Sequence, residues 1–368
     1  MKGLSDNLIK WNKEVFGNIF RRKNDLLRTL KSLEMVNERK PSRRSLEKER
    51  ERREELEGTL WQEEMLWRQK PRVKWTVKGD LNTRYFHNCT LSRRKRNKII
   101  RLQNGDGNLI DDPDTLQAMA KGHFVHLFTS EAPSNWIQLP ASFPHVDESC
   151  LRRIGKIPNI EEVKAVIMKM SGLKAPGKDG FHALFYQKCW DVVGLDFSSF
   201  IRSCFSNPSN IRSINETLLA LISKVESPSS MNHFRTISLC NVGYKVVAKC
   251  IANNLKMFMT QLVHPNQSSF VPNRHITDNI IILQQTVHSM SRKAGKKGIM
   301  LLKIDIAKAY DRISWQFLEE TLKAAHLPHD CIRLIMACVT TTSFQVLWNG
   351  GETNTFYPSR GLRQGCPL

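Results

Sequence analysis

The sequence predicts an α+β protein: a mainly helical, basic N-terminal extension followed by a body in which helices and short strands alternate. Three observations lead there. Apolar residues recur at helical spacing over residues 8–70. Short apolar or alternating runs of strand length stand at 217–225, 298–306 and 342–358. Between them lie longer stretches at 241–262, 276–292 and 315–325 whose apolar residues repeat with a helical period.

In chain order, Leu26, Leu30 and Leu33 share one helix face and Leu56 and Leu60 another, with Trp67 further along. Between them RRSLEKERERREELE sets Arg and Lys three and four residues from Glu, pairs that support an exposed helix. Pro41 is expected to divide the stretch into two helices able to form an antiparallel hairpin. Residues 68–98 then alternate basic residues with Trp75, Tyr85, Phe86 and His87 and end in Arg93-Arg94-Lys95-Arg96. Rings that stack on bases beside cations that neutralise phosphates suit single-stranded nucleic acid. A surface loop whose aromatics anchor it to the core would read the same way. The candidate contacts are Lys74, Trp75, Arg84, Tyr85, Phe86, Arg93, Arg94, Lys95 and Arg96.

Residues 99–110 read as a hairpin turning at Asn104–Asn108, and 129–150, rich in Ser, Pro and acid, as a linker. Asn159 with Glu161 and Glu162 opens a helix. LKAPGKDGF is a Gly/Pro loop, helices follow to about 205, and TLLALISKV is a strand. Ser314 is a good N-cap for the helix after it, and Asn349-Gly350 a hairpin turn. The domains expected are 1–70, 71–155 and 156–368.

Composition narrows the partners. The 368 residues carry a net charge of +21, and residues 1–100 hold 27 Lys+Arg against 14 Asp+Glu, or +13 of it. Such a surplus points to a polyanion, nucleic acid first. The nine cysteines are scattered with no C-x-x-C pair, so neither a zinc ribbon nor a disulfide framework is expected. No run approaches the ~20 apolar residues that span a bilayer, and the start lacks a signal-peptide core. A reducing, intracellular setting is expected, with no membrane partner.

The sharpest local feature is GIMLLKIDIAKAYDRISW at 298–315. One acid, Asp305, interrupts the apolar run Ile299–Ile306. A buried strand holds an ionised carboxylate only at a cost of several kcal/mol, which a bound cation offsets. Tyr310 and Asp311 follow. An acid at a strand end that holds Mg²⁺, then an aromatic under the incoming sugar, is the pattern of a polymerase palm. Two-metal nucleotidyl transfer needs carboxylates around paired Mg²⁺ ions, and the carbonyl of Ile306 is a further oxygen donor. A solvent-facing acid on an edge strand is the plain alternative.

KIDIAKAYDRISW resembles the first palm motif of reverse transcriptases of the LINE-type, non-LTR retrotransposon family, especially its plant members. RGLRQGCPL at 360–368 resembles the same family's template- and primer-positioning motif. FRTISLCNVGYKVVAKCIANNLK, NQSSFVPNRHITDNIII and KAPGKDGF resemble its finger and palm segments, in the family's order. EEMLWRQKPRVKWTVKGDLNTRYFH resembles the extension before the polymerase. The resemblance covers nearly the whole chain and is weakest over 1–60.

It implies right-hand polymerase fingers and a partial palm, with an RNA template, a DNA primer, a deoxynucleoside triphosphate and Mg²⁺ as partners. By motif match, Asp305 is implied to be the first metal carboxylate, with Ile306 beside it. Tyr310 is implied to be the ring that blocks a ribose 2′-OH. Arg235 and Lys224 match the finger cations on the triphosphate, and Gln364 and Gly365 the residues near nucleotide and template. Asp311 reads as a structural acid paired with Arg312 or Lys308.

Departures accompany the resemblance. Thr236 follows the finger arginine where the family has Pro, Lys178 stands where Pro is frequent, and Ser269 and Asn273 replace two glycines. An asparagine tolerates positive φ better than a serine. The family's paired-acid turn, Tyr/Phe-Ala-Asp-Asp, does not occur in these residues. The expectation is therefore a segment cut within the palm and inactive by itself, in nucleus or cytoplasm by analogy. A rival expectation is a non-catalytic RNA-binding protein that uses only the basic extension, and a third is a product that does not fold stably.

Overall fold

The computed structural model describes residues 2–69, 83–129, 143–144, 153–295 and 298–368. The linker expected at 129–150 lies almost wholly outside them. The chain forms two compact units, Met1–Ile99 and Ile100–Leu368. The expected divisions near 70 and 155 do not coincide with this one.

The first unit is helical: Lys2–Trp11, Ile19–Arg39, Arg43–Gln69 and Thr83–Asn97. The helix break falls at Pro41, as its missing N–H requires. Ile19–Arg39 and Arg43–Gln69 run antiparallel. Asn37 bonds Glu49, Arg53 bonds Glu34, and Lys23 bonds Glu63 at 2.7 Å. Leu26 and Leu30 are buried on the inner face, and Asn18 caps the first helix through the amides of Phe20 and Arg21. Residues 83–97, part of the basic and aromatic segment for which a surface loop is the alternative reading, are helical.

The second unit begins with a small hairpin, β1 (Leu102–Gln103) and β2 (Leu109–Ile110), and the helix Pro113–Phe128, capped by Asp112. Its sheet contains β3 (Glu216–Ser223), β4 (Phe234–Cys240), β5 (Ser343–Trp348) and β6 (Gly351–Glu352) in the order β4-β3-β5-β6. β3 pairs antiparallel with β4 and parallel with β5. Asn349 and Gly350 turn the last hairpin with φ of 48° and 97°, the left-handed pair a two-residue turn needs. Helices Ile160–Met168, Trp190–Ser206, Val242–Lys256 and His329–Thr340 supply the core, where Ile167, Ile201, Val247 and Cys338 are fully enclosed. Asn159 and Glu162 form a reciprocal capping box on the first of these.

One expectation fails in its structural form. Residues 298–306 take no regular secondary structure and pair with no strand among the described residues, and Asp305 and Ile306 are both exposed. A strand exists only through a neighbour's ladder, and among the described residues nothing pairs with this segment. An apolar strand would bury this carboxylate at a cost; here Asp305 is exposed and bears none. The helix Ile276–Arg292 forms over its expected span yet buries none of its residues. Of the two replaced glycines, Asn273 has φ 60° whereas Ser269 does not take positive φ; its neighbour Phe270 does, at 65°.

Candidate functional site

The β3–β4 hairpin brings the first two site residues together. Ile222 pairs with Arg235 and Ser223 with Phe234, so Lys224 leaves β3 beside Arg235 at the start of β4. Alternation buries Phe234 and Thr236 and leaves Arg235 on the open face. The Lys224 amide donates to the His233 carbonyl at 2.8 Å, and its Nζ donates to the Asn232 carbonyl at 3.3 Å.

The second group arrives from 306–311. At Lys308 the backbone turns left-handed, with φ 53° and ψ 42°, and a single helical turn, Ala309–Arg312, follows. That bend takes Asp311 off the line of Asp305. The third group comes on the loop after β6. The Leu362 amide donates to the Tyr310 carbonyl at 2.6 Å, the Gly361 amide to Ile313 at 2.7 Å, and Trp315 Nε1 to the Gly361 carbonyl at 2.8 Å. Gly361, at φ 87°, permits this: an added Cβ would sit 2.5 Å from the Asp311 carbonyl oxygen. The Ser238 amide donates to the Gln364 carbonyl at 3.1 Å, fixing the loop to β4.

Arg363 anchors the same loop from the interior. Its buried guanidinium donates to Asn215 Oδ1 at 2.5 Å, Thr217 Oγ1 at 3.1 Å and the Cys338 carbonyl at 2.7 Å. It also lies 3.8 Å from the centre of the Tyr244 ring. Neutral dipoles and a ring face stand in for a counter-ion.

These elements enclose a cavity of about 320 Å³ lined by Lys224, Arg235, Ile306, Lys308, Tyr310, Asp311 and Gln364, with Phe124 and Leu127 behind. Five residues singled out from sequence therefore share one cavity: Lys224, Arg235, Ile306, Tyr310 and Gln364. Asp305 does not line it. Gly365 flanks it in sequence with φ 94°. Lys74 and Trp75 lie outside the described residues. Arg84, Tyr85, Phe86 and Arg94 fall on the helix Thr83–Asn97, but their side chains lie outside the described residues, while Arg93, Lys95 and Arg96 on that helix are exposed.

The electrostatics of the cavity are cationic. Among the described residues no carboxylate pairs within 4 Å with Lys224, Arg235 or Lys308. Asp311, expected to pair with Lys308 or Arg312, forms no ion pair within 4 Å with either among the described residues, although both charges act on it; Lys308 Nζ donates instead to Asn232 Oδ1 at 3.1 Å and to His123 Nε2 at 3.4 Å. Burial raises the Asp311 carboxyl above its usual range, with Lys308, Lys224 and Arg312 pulling the other way. His123 is pushed down to about 4, by burial first and then by the Lys308 charge, so its ring is neutral at pH 7 and accepts from the lysine. His123 and Asn232 were missed in the sequence, and Lys308 stands out there only as a partner for Asp311. His123 sits on an amphipathic helix, where a lone histidine gives no signal of its own.

A resident cation does not fit the described residues by themselves. Asp305 and the Ile306 carbonyl are hard oxygen donors. Among the described residues, however, no group of three or more His, Cys, Asp and Glu stands together to hold a metal. The chemistry available is recognition of a polyanion beside an aromatic face.

Comparison with known proteins gives this cavity a context. Residues 222–368 match the family profile described as reverse transcriptase (RNA-dependent DNA polymerase). The chain is 29% identical over 291 residues to the transposon TX1 uncharacterized 149 kDa protein of Xenopus laevis, which covers 78% of this chain and 22% of that one. It is 22% identical over 218 residues to the retrovirus-related Pol polyprotein from type-2 retrotransposable element R2DM of Drosophila melanogaster, covering 59% and 20%. A third relative, the corresponding polyprotein from type-1 retrotransposable element R2 of Nasonia vitripennis, is 23% identical over 225 residues, covering 59% and 21%. The chain spans about a fifth of the length of each of these relatives.

Proposed function

We propose, from the premise that residues 222–368 are a reverse transcriptase domain of the non-LTR retrotransposon type, that the cavity receives a deoxynucleoside triphosphate. The observation that carries this reading is the convergence of Lys224, Arg235, Tyr310 and Gln364 on one cavity. Lys224 and Arg235 face the phosphates, where cations offset the charge that builds on oxygen during transfer. Tyr310 stands under the sugar and excludes a 2′-OH by clash. Gln364 and Gly365 border the base and template. The reaction served is addition of a deoxynucleotide to the 3′-OH of a DNA primer on an RNA template, with pyrophosphate leaving.

In this reading Asp305 is one carboxylate of a Mg²⁺ site to which further acids must contribute, and these 368 residues do not polymerise unaided. The test is dTTP binding by the purified chain, with Arg235→Ala and Tyr310→Ala alongside. Binding that Arg235→Ala weakens, and a preference for dTTP over UTP that Tyr310→Ala erases, are the expected results. Affinity indifferent to Arg235 sinks the reading. Mg²⁺-dependent primer extension by the chain alone removes the claim of inactivity.

The exposed Lys95 and Arg96 on the helix Thr83–Asn97 favour a second reading, RNA binding that needs no triphosphate cavity. It predicts a log–log salt slope of about −0.7 per phosphate contacted, unaltered by Asp305→Ala.

A further inference from the structure

The geometry points to Lys308 as a third phosphate-binding cation of the cavity, held in place by Asn232 and His123. The inference rests on the nucleotide reading above and extends it to residues that reading does not use.

Asn232 is the first observation. It lies on the short turn Met231–His233 between β3 and β4. Its carbonyl accepts from Lys224 Nζ at 3.3 Å, and its side-chain oxygen accepts from Lys308 Nζ at 3.1 Å. One residue thus holds two ammonium groups on the same cavity, from segments far apart in the chain. Like charges repel, and this fold brings the two together hydrogen-bonded only to neutral acceptors. Among the described residues Asp311 is the one carboxylate lining the cavity beside Lys224, Arg235 and Lys308, which leaves a cationic surplus that a polyanion would offset.

The donor count is the second. An ammonium has three N–H groups. Lys308 spends one on Asn232 and one on His123 Nε2, which leaves one for a ligand. The neutral His123 ring accepts without supplying a counter-charge. His123 belongs to Pro113–Phe128, the helix whose Phe124 and Leu127 also line the cavity. Residues upstream of the matched 222–368 region therefore take part in building this site.

The backbone is the third. Lys308 occupies the left-handed region that glycine enters freely and lysine enters only with strain. For the chain path alone, glycine would serve better at 308. The side chain is what the site gains from lysine.

This last point supplies a variant that separates ligand binding from folding. Lys308→Gly removes the ammonium and relieves the backbone. Lys308→Asn, a residue that also tolerates this conformation, is the second variant. The full chain is titrated with inorganic tripolyphosphate and with dTTP by calorimetry, and thermal melts are run in parallel. Loss of one charge-assisted contact weakens tripolyphosphate by about tenfold, with the melting temperature not lowered in at least one of the two variants. Lys323→Ala, far along an exposed helix face, leaves affinity unchanged. If Arg235→Ala abolishes binding while both Lys308 variants bind as the parent does, the inference is overturned and the nucleotide reading stands. If the parent binds neither probe, or Arg235→Ala changes nothing, both fall together.

Discussion

Replacing Gly361 by alanine tests the contact that joins the Tyr310 segment to the Gln364 loop. Two penalties act there. The residue sits at φ 87°, where an L side chain costs about 1–2 kcal/mol. The new Cβ would also lie 2.5 Å from the Asp311 carbonyl oxygen and 3.0 Å from Phe128 Cδ1. Neither neighbour can withdraw cheaply. The Gly361 amide is bonded to Ile313 and the Leu362 amide to Tyr310, so the two backbones are tied at this point. Overpacking of this kind costs roughly 1–3 kcal/mol, so the substitution is expected to remove roughly 2–5 kcal/mol in all. That is a large share of a typical domain's ~5–15 kcal/mol.

The control is Gly350→Ala. It has a comparable φ of 97° but nothing within 4 Å of the new Cβ, so it carries the backbone penalty alone. Urea unfolding followed by tryptophan fluorescence, run on both variants, isolates the contact as the difference between them. Equal losses at 361 and 350 would refute the close approach, and with it the claim that these two segments are held as one.

Other substitutions probe the remaining parts. His123 has a folded pKa of about 4 against an ordinary 6.5, so its contribution is complete above about pH 6.5 and is lost as pH falls from there toward 4, where the unfolded chain takes the proton first. Denaturation measured across that window should show the decline, and His123→Asn should flatten it. Asn159→Ala removes the capping box of Ile160–Met168 and should lower stability by about 0.5–2 kcal/mol in urea titrations. Leu219→Ala empties a fully buried position at the centre of β3 and should cost about 2–5 kcal/mol; a loss under half a kcal/mol would mean the site is not enclosed.

Much of this fold is legible in the sequence, and the gaps have physical causes. Local signals read well: the break at Pro41, the helix start at Asn159, the Ser314 cap and the Asn349-Gly350 turn all depend on residues within a few positions. Phe234–Cys240 is harder to see as a strand because its buried face carries Thr236, Ser238 and Cys240 beside Phe234, so polarity does not alternate with burial. At 298–306 the composition favours a strand, but whether one forms depends on a neighbour, which no local pattern encodes. The cavity follows the same division. Lys224, Arg235, Tyr310 and Gln364 stand in recognisable motifs. Lys308 becomes informative only once its left-handed backbone and its bonds to Asn232 and His123 are known.

The parallel pairing of β3 with β5 also constrains how the chain matures. Thr217 is placed opposite Phe344, so a ribosome must synthesise the chain through Phe344 before β3 finds its second neighbour. Until then only the β3–β4 hairpin is available, and pairing between such distant segments is slow. During synthesis the half-built sheet offers an open edge to other nascent chains, so chaperone occupancy should persist until Trp348 has left the exit tunnel.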